Sequence, residues 1–270
     1  MKTVRTIALI SDTHIGSNFS LFPPQWTPQN GPTLYASKEQ KKIWDFWIHF
    51  CKECNKNGVD TVLHLGDAIE GRQEKTIGDG ISLPDLTSQV ECAVDILSYI
   101  AKGRRFGLIS GTTYHDSRDI STARMIVKGL SERGFRAEYL GYVATLKVKG
   151  TKYFLNIAHS FSSTAYRGTG ADQQMVWSLV AESLRKLPPL HIQARGHVHS
   201  NYYAEMDERR FYIVPAWKTW DPYVPAIRNY PRMQPSIGGW ILRFGSRGEI
   251  EHTKILMKDI PRILDKIFEA

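Results

Sequence analysis

The first apolar cluster, TVRTIALI at positions 3–10, is short, rich in β-branched residues and ends abruptly at Ser11-Asp12, which predicts a buried strand. Residues 18–36 lose all periodicity; rich in Pro, Asn, Gln and aromatics, they predict an insertion loop. Ser37-Lys38-Glu39-Gln40 then spells a capping box. Beyond it Ile43, Trp44, Trp47 and Phe50 recur on one helical stripe until Asn57-Gly58 closes the helix. VDTVLHL (59–65) predicts a second buried strand, followed by a helix at about 85–102, a strand at 106–110 and a helix at about 119–133.

From residue 142 the pattern changes. GYVATLKVKGTKYFLNIAHS predicts a hairpin turning at Lys149-Gly150. A helix fits 171–187 and closes at Pro188-Pro189, and HIQARGH (191–197) predicts a short strand. Residues 202–206, 210–214, 238–244 and 248–256 predict antiparallel strands. No repeat or low-complexity stretch interrupts the chain. An alternating β-α first half argues for parallel strands under helical cover, and a mostly β second half for more sheet. Two packed sheets with helices outside accommodate both, and the expected organisation is one domain spanning 1–270.

Composition narrows the partners. Thirty-five Lys and Arg against 27 Asp and Glu give a net charge of +8, which favours anionic partners, nucleic acid or a phosphorylated substrate, ahead of a membrane. The three cysteines, Cys51, Cys54 and Cys92, are too few and odd in number for a disulfide framework. Cys51 and Cys54 share one face of a helix and read as packing residues. The N-terminal apolar run is too short for a signal peptide, and no stretch approaches a membrane span, so the expected location is cytoplasmic.

The chemistry collects where strands end. Asp12 and His14 follow the first strand, Gly66-Asp67 and Glu70 the second, Gly111 to Asp116 the third, His159 the hairpin, and Gly196-His197-Val198-His199 the next. Ligand sites in open α/β sheets form outside the carboxyl ends of strands. In extended backbone Asp12 and His14 point to one side, as do His197 and His199, so each pair is expected to grip one ion. Asp12, His14, Asp67, His159, His197 and His199 make a mixed oxygen and nitrogen set suited to Mn, Fe, Zn or Ni and poor for Ca. Six ligands exceed the need of one tetrahedral ion and suit two divalent ions sharing a carboxylate.

In this order, D-x-H, G-D-x-x-E, G-x-x-x-H-D, H and G-H-x-H, the motifs resemble the calcineurin-like metallophosphoesterase superfamily, in particular phage- and bacteria-borne members. The resemblance covers roughly residues 5–215. It implies a four-layer α-β-β-α sandwich of two mixed β-sheets flanked by helices, with a dinuclear metal centre at the strand ends. It further implies that Asp12, His14 and His199 hold the first metal, that Asp67 bridges, and that His159 and His197 hold the second, with Mn favoured. The third block departs from the family spelling G-N-H-D/E: counting from Gly111 puts Thr112 in place of the Asn, and counting back from His115 puts Tyr114 there. The expectation is a weakened second site with His115 facing the substrate, the alternative being His115 as a metal ligand.

The expected activity is metal-assisted hydrolysis of a phosphoester, with His115 and Asp116 as the acid–base pair for the leaving oxygen. Taken with the basic charge, a phosphodiesterase of nucleic acid or nucleotides is the leading substrate class. Arg72, Arg118 and the Tyr166-Arg167 stretch are candidate phosphate clamps. Pro215-Ala216-Trp217-Lys218-Thr219-Trp220-Asp221-Pro222-Tyr223 is a candidate base-stacking loop. The competing class is a metal-binding phosphoesterase scaffold, or a nucleic-acid-binding accessory protein, without chemistry.

Overall fold

The structure, a computed structural model, describes residues 2–73, 78–116, 121–160, 167–219 and 235–260. In chain order the first half contains β1 (Thr3–Ile10), β2 (Gln25–Trp26), β3 (Leu34–Tyr35), α1 (Lys38–Lys56), β4 (Thr61–His64), α2 (Leu86–Ala101), β5 (Arg105–Leu108), α3 (Thr122–Glu132) and β6 (Arg136–Tyr139). The second contains β7 (Val143–Lys147), β8 (Phe154–Ala158), α4 (Arg167–Ser183), β9 (Ile192–Arg195), β10 (Tyr202–Met206), β11 (Arg209–Ile213), β12 (Gly238–Gly245) and β13 (Ile250–Leu256). The capping box of α1 is formed in both directions: Gln40 N donates to Ser37 Oγ at 3.1 Å, and Ser37 N donates to Gln40 Oε1 at 3.0 Å.

Two sheets face each other. The first runs β13-β12-β1-β4-β5-β6 and the second β10-β11-β9-β8-β7. Strands β1, β4, β5 and β6 are parallel, as the alternating first half requires. Along β1, Ile7 and Leu9 enter the core between the sheets with Leu155, Ile157, Ala194 and Leu242. Ala8 and Ile10 point the other way, onto Trp47 and Phe50 of α1 and the apolar faces of α2 and α3. Burial on both faces is why β1 reads as a continuous apolar run. On the outer face of the second sheet, Phe211 and Ile213 meet Ala171 and Met175 of α4. The layers are therefore α-β-β-α, with mixed sheets.

Three features depart from the expected elements. The 202–256 strands are not one antiparallel set: β11 lies parallel to β9, while β12 leaves for the first sheet and pairs antiparallel with β1. Strand β6 has no apolar run to announce it, because Arg136-Ala137-Glu138-Tyr139 is a half-exposed edge. Helix α4 begins and ends four residues earlier than 171–187. The insertion loop carries the small β2–β3 ladder. Cys51, Cys54 and Cys92 are free and buried in the helical core, and burial pushes the Cys51 and Cys54 thiols up to about 12.

Candidate metal centre

The loops after β1, β4, β5, β8 and β9 converge, and their backbones are woven together before any side chain matters. Asp12 N donates to Gly66 O at 3.0 Å, His14 N to Asp67 O at 3.1 Å, and Gly196 N to His159 O at 3.1 Å. Gly111 passes so close to Asp67 that a Cβ there would collide with its carboxylate and its backbone nitrogen. Asp12, His14, Asp67, His197 and His199 all adopt positive φ, between 44° and 71°. Left-handed backbone costs a non-glycine residue about 1–3 kcal/mol and persists where surrounding contacts over-determine it. These turns replace the extended geometry from which the same-side pairing of His197 and His199 was expected.

The consequence is that His197 and His199 part, contrary to the extended reading of the H-x-H pair and in the grouping that the motif resemblance implies. Asp12, His14 and His199 bring one donor atom each within 4.8 Å of one another; Asp67, His159 and His197 form a second such group, and His14, Asp67 and His115 a third. Asp12 and His14 stay together, whereas His197 and His199 go to different groups. The left-handed turn at each histidine removes the alternation that would have aimed both one way. Asp12 Oδ1 lies 3.3 Å from His199 Nε2, 3.7 Å from His14 Nε2 and 3.8 Å from His159 Nε2. Asp67 Oδ2 lies 3.0 Å from His159 Nε2 and 3.9 Å from His115 Nε2. The Nε2 atoms of His14 and His199 face each other at 3.0 Å.

The far sides of these rings are occupied. His159 Nδ1 donates to Leu65 O at 2.6 Å and His115 Nδ1 to Glu70 O at 2.5 Å. His14 Nδ1 sits 2.9 Å from Glu70 Oε2, close although not well aligned. A hydrogen-bonded Nδ1 leaves the Nε2 lone pair to face the site, the arrangement that orients metal-ligating histidines. Asp12 Oδ1 and His159 Nε2 are fully buried and make no well-formed hydrogen bond. Orphaned buried donors and acceptors of this kind are costly unless a cation completes them, so the donor set fits divalent metal.

Three buried carboxylates dominate the electrostatics. Burial would raise Asp12 and Asp67, yet the surrounding histidines, His159 first, hold both well below the usual carboxylate range. Burial likewise opposes ionisation of Glu70, but His14 and Lys218 bring it down to about 2. His14 and His159 are lowered by burial and raised more by their carboxylates, Glu70 for one and Asp67 for the other, reaching about 9 each. His115, buried and beside His14, falls to about 4. This cluster attracts cations, whether protons or metals.

The third block divides its duties. Thr112 donates its backbone N–H to Asp67 Oδ1 at 2.7 Å, and its hydroxyl lies 3.2 and 3.3 Å from the two carboxylate oxygens. Thr112 therefore stands at Asp67, while Tyr114 points away and donates to Gln73 Oε1 at 2.9 Å. The Asp116 carboxylate serves α3: its Oδ1 accepts from Thr122 Oγ1 at 2.5 Å and from Ala123 N at 3.0 Å. That engagement with the helix start is why it does not reach His115 as a partner. Arg72 is exposed, between the buried Gly71 and Gln73. Arg118, Tyr166, Trp220 and Tyr223 lie outside the described residues. Trp217 is fully buried, edge-on to Trp47 at 4.7 Å, so it offers no face for base stacking.

Two residues of the site are not in the expected ligand set. Glu70 accepts Lys218 Nζ at 2.8 Å and Gln73 Nε2 at 2.8 Å on the same oxygen, while its other oxygen faces His14. Lys218 and Glu70 are both almost wholly buried. Glu70 stands in G-D-x-x-E, three residues after Asp67, so its signal was in the motif; Lys218 arrives from 148 residues away with none.

No protein-family profile matches the sequence, and no curated protein matches it. Similar solved structures include an archaeal phosphodiesterase, 13% identical over 93% of this chain and 99% of that one, with a TM-score of 0.47. Vps29 of Entamoeba histolytica complexed with zinc is 12% identical over 93% and 98%, with a TM-score of 0.46. A Streptococcus pneumoniae protein predicted to be a phosphoesterase is 12% identical over 94% and 98%, with a TM-score of 0.35.

Proposed function

We propose that the chain is a metal-dependent phosphoester hydrolase, with phosphodiesters of nucleic acid or nucleotides as its substrate class. The observation that carries the reading is the pair of Asp/His groups at the strand ends, with Asp67 reaching His159 on one side and the His14–His115 group on the other. Asp12, His14 and His199 would hold one divalent ion and His159 and His197 a second, with Asp67 between them and Mn favoured among Mn, Fe, Zn and Ni. When bound, such ions lower the pKa of water and neutralise phosphoryl oxygens.

The protein's own groups supply the rest. The second layer fixes the rings: Leu65 O holds His159 and Glu70 holds His14 and His115. His115 commits Nδ1–H to Glu70 O, so Nε2 is the nitrogen that takes up or releases a proton towards the reacting group. It rests unprotonated near neutral pH, and a phosphoryl anion docking beside it favours its protonated form. The exposed Arg72 is then a phosphate contact from the solvent side.

The test is metal analysis together with a panel of phosphomonoesters, phosphodiesters, cyclic nucleotides and DNA, with Mn added. Asp67→Ala and His197→Ala are expected to lose bound metal and abolish hydrolysis; wild-type activity in both would sink the assignment. A net charge of +8 supports the nucleic-acid class. Oligonucleotide binding that weakens steeply with salt is the expected result, and no binding at low salt removes that class in favour of a small phosphoester.

A further inference from the structure

Helix α4 carries apolar side chains on its outer face as well as its inner one. Its inner face sets Ala171 and Met175 on Phe211 and Ile213 and adds polar contacts to the second sheet. Arg195 Nε donates to Gln174 Oε1 at 2.8 Å, Gln193 Nε2 donates to Ser178 Oγ at 3.0 Å, and Arg209 pairs with Glu182. Its outer face carries Val176 and Val180 one turn apart with Trp177 alongside, and Leu184 continues the stripe in the turn that follows the helix; Trp177 is 75% exposed, Leu184 60% and Val180 54%. Helices on globular proteins normally keep the face opposite the core polar. With the flanking Leu179 and Leu187, these side chains leave roughly 600 Å² of apolar surface open, at the upper limit of what monomers tolerate.

We propose that this face is covered by the same face of a second copy of the chain, the two α4 helices packing antiparallel about a twofold axis. The exposed charge around the stripe selects a second copy: Asp172 lies before it, and Arg185 and Lys186 lie after it in the turn beyond the end of the helix, Glu182 being taken up by Arg209. Antiparallel pairing centred between Trp177 and Val180 sets Trp177 against the partner's Val180. It also brings Asp172 to the partner's Arg185, twice by symmetry. An isologous interface needs a patch complementary to itself, and this one is. Pairing two such patches buries about 1,200 Å², which reaches the lower bound for specific interfaces.

The experiment is analytical ultracentrifugation of the full chain across a concentration series, with circular dichroism to verify the fold. The wild type is expected to show a reversible monomer–dimer equilibrium. Trp177→Glu and Val180→Glu each raise the dimer dissociation constant more than about 30-fold, as central anchors do. Asp172→Arg and Arg185→Asp each weaken it about 10-fold, and the double swap D172R/R185D restores it, because the patch is again complementary to itself. These exposed substitutions leave the circular dichroism spectrum unchanged. A wild type that is monomeric at every concentration overturns the proposal, whether another segment then covers the stripe or water does. A dimer that survives Trp177→Glu, or is not restored by the double swap, overturns it as well.

Discussion

Lys218→Met isolates the support beneath the metal ligands. The substitution keeps the length and apolar stem of the side chain and removes the ammonium that lies 2.8 Å from Glu70 Oε1. Glu70 and Lys218 are almost wholly buried, so solvent screening does not dilute the pair. Breaking a buried pair by deleting one partner costs about 3–5 kcal/mol. Glu70 keeps Gln73 Nε2 at 2.8 Å and His14 at 2.9 Å, which places the loss near 3 kcal/mol. At about 2–4 °C per kcal/mol for a chain of this size, the unfolding midpoint should fall by roughly 6–12 °C. The assay is thermal and urea unfolding followed by circular dichroism in the presence of a chelator, on Lys218→Met, Glu70→Gln and the double variant. Because Glu70→Gln removes the charge that Lys218 answers, the double variant should lose at least about 1.5 kcal/mol less than the two single losses added together. A Lys218→Met loss below about 1 kcal/mol, or strict additivity, refutes the reasoning.

Two pH effects follow from other groups. In the metal-free protein at pH 7, His14 and His159 hold protons, since their carboxylate neighbours raise them to about 9. Metal needs both lone pairs, so loading Mn or Zn should release up to two protons and tighten as pH rises from 7 to 9. Titration calorimetry in buffers of different ionisation enthalpy checks this, and an apparent binding enthalpy independent of buffer counts against it. His64 behaves oppositely: fully buried, it accepts Gly66 N on Nδ1 at 3.2 Å and faces Thr13 Oγ1 with Nε2 at 3.0 Å, and burial lowers it to about 3. The unfolded chain binds that proton near pH 6.5 and the folded chain does not, so the stability His64 provides is present above pH 6.5 and lost as pH falls towards 3. The slope attributable to it is up to about 1.4 kcal/mol per pH unit. Urea unfolding of wild type and His64→Gln across pH 4–7 should differ by that slope, and parallel curves would exclude it.

The local pattern was sufficient for the parts of the fold that bury apolar surface. β1 read as a strand because both its faces are in cores, and α1 announced itself through a capping box and an apolar stripe. The ordered Asp and His residues also marked the strand ends, because that chemistry is carried by residue type and spacing. What the sequence could not carry is direction and distance. β6 packs at an edge with half-exposed residues, so no apolar run marks it. The split of His197 from His199 was implied by the motif resemblance but not by the local H-x-H spacing, because it is set by left-handed backbone that only the surrounding loops enforce. Asp116 looked like a partner of its neighbour His115, yet the start of α3 takes its carboxylate. Lys218 lies 148 residues from Glu70 and meets it only because the loop after β11 returns past the end of β1, where Trp217 N donates to Asp12 O. Residue type and spacing determined which groups gather at the strand ends; the tertiary structure decided which of them face the site and which hold the others in place, because that depends on contacts between segments far apart in the chain.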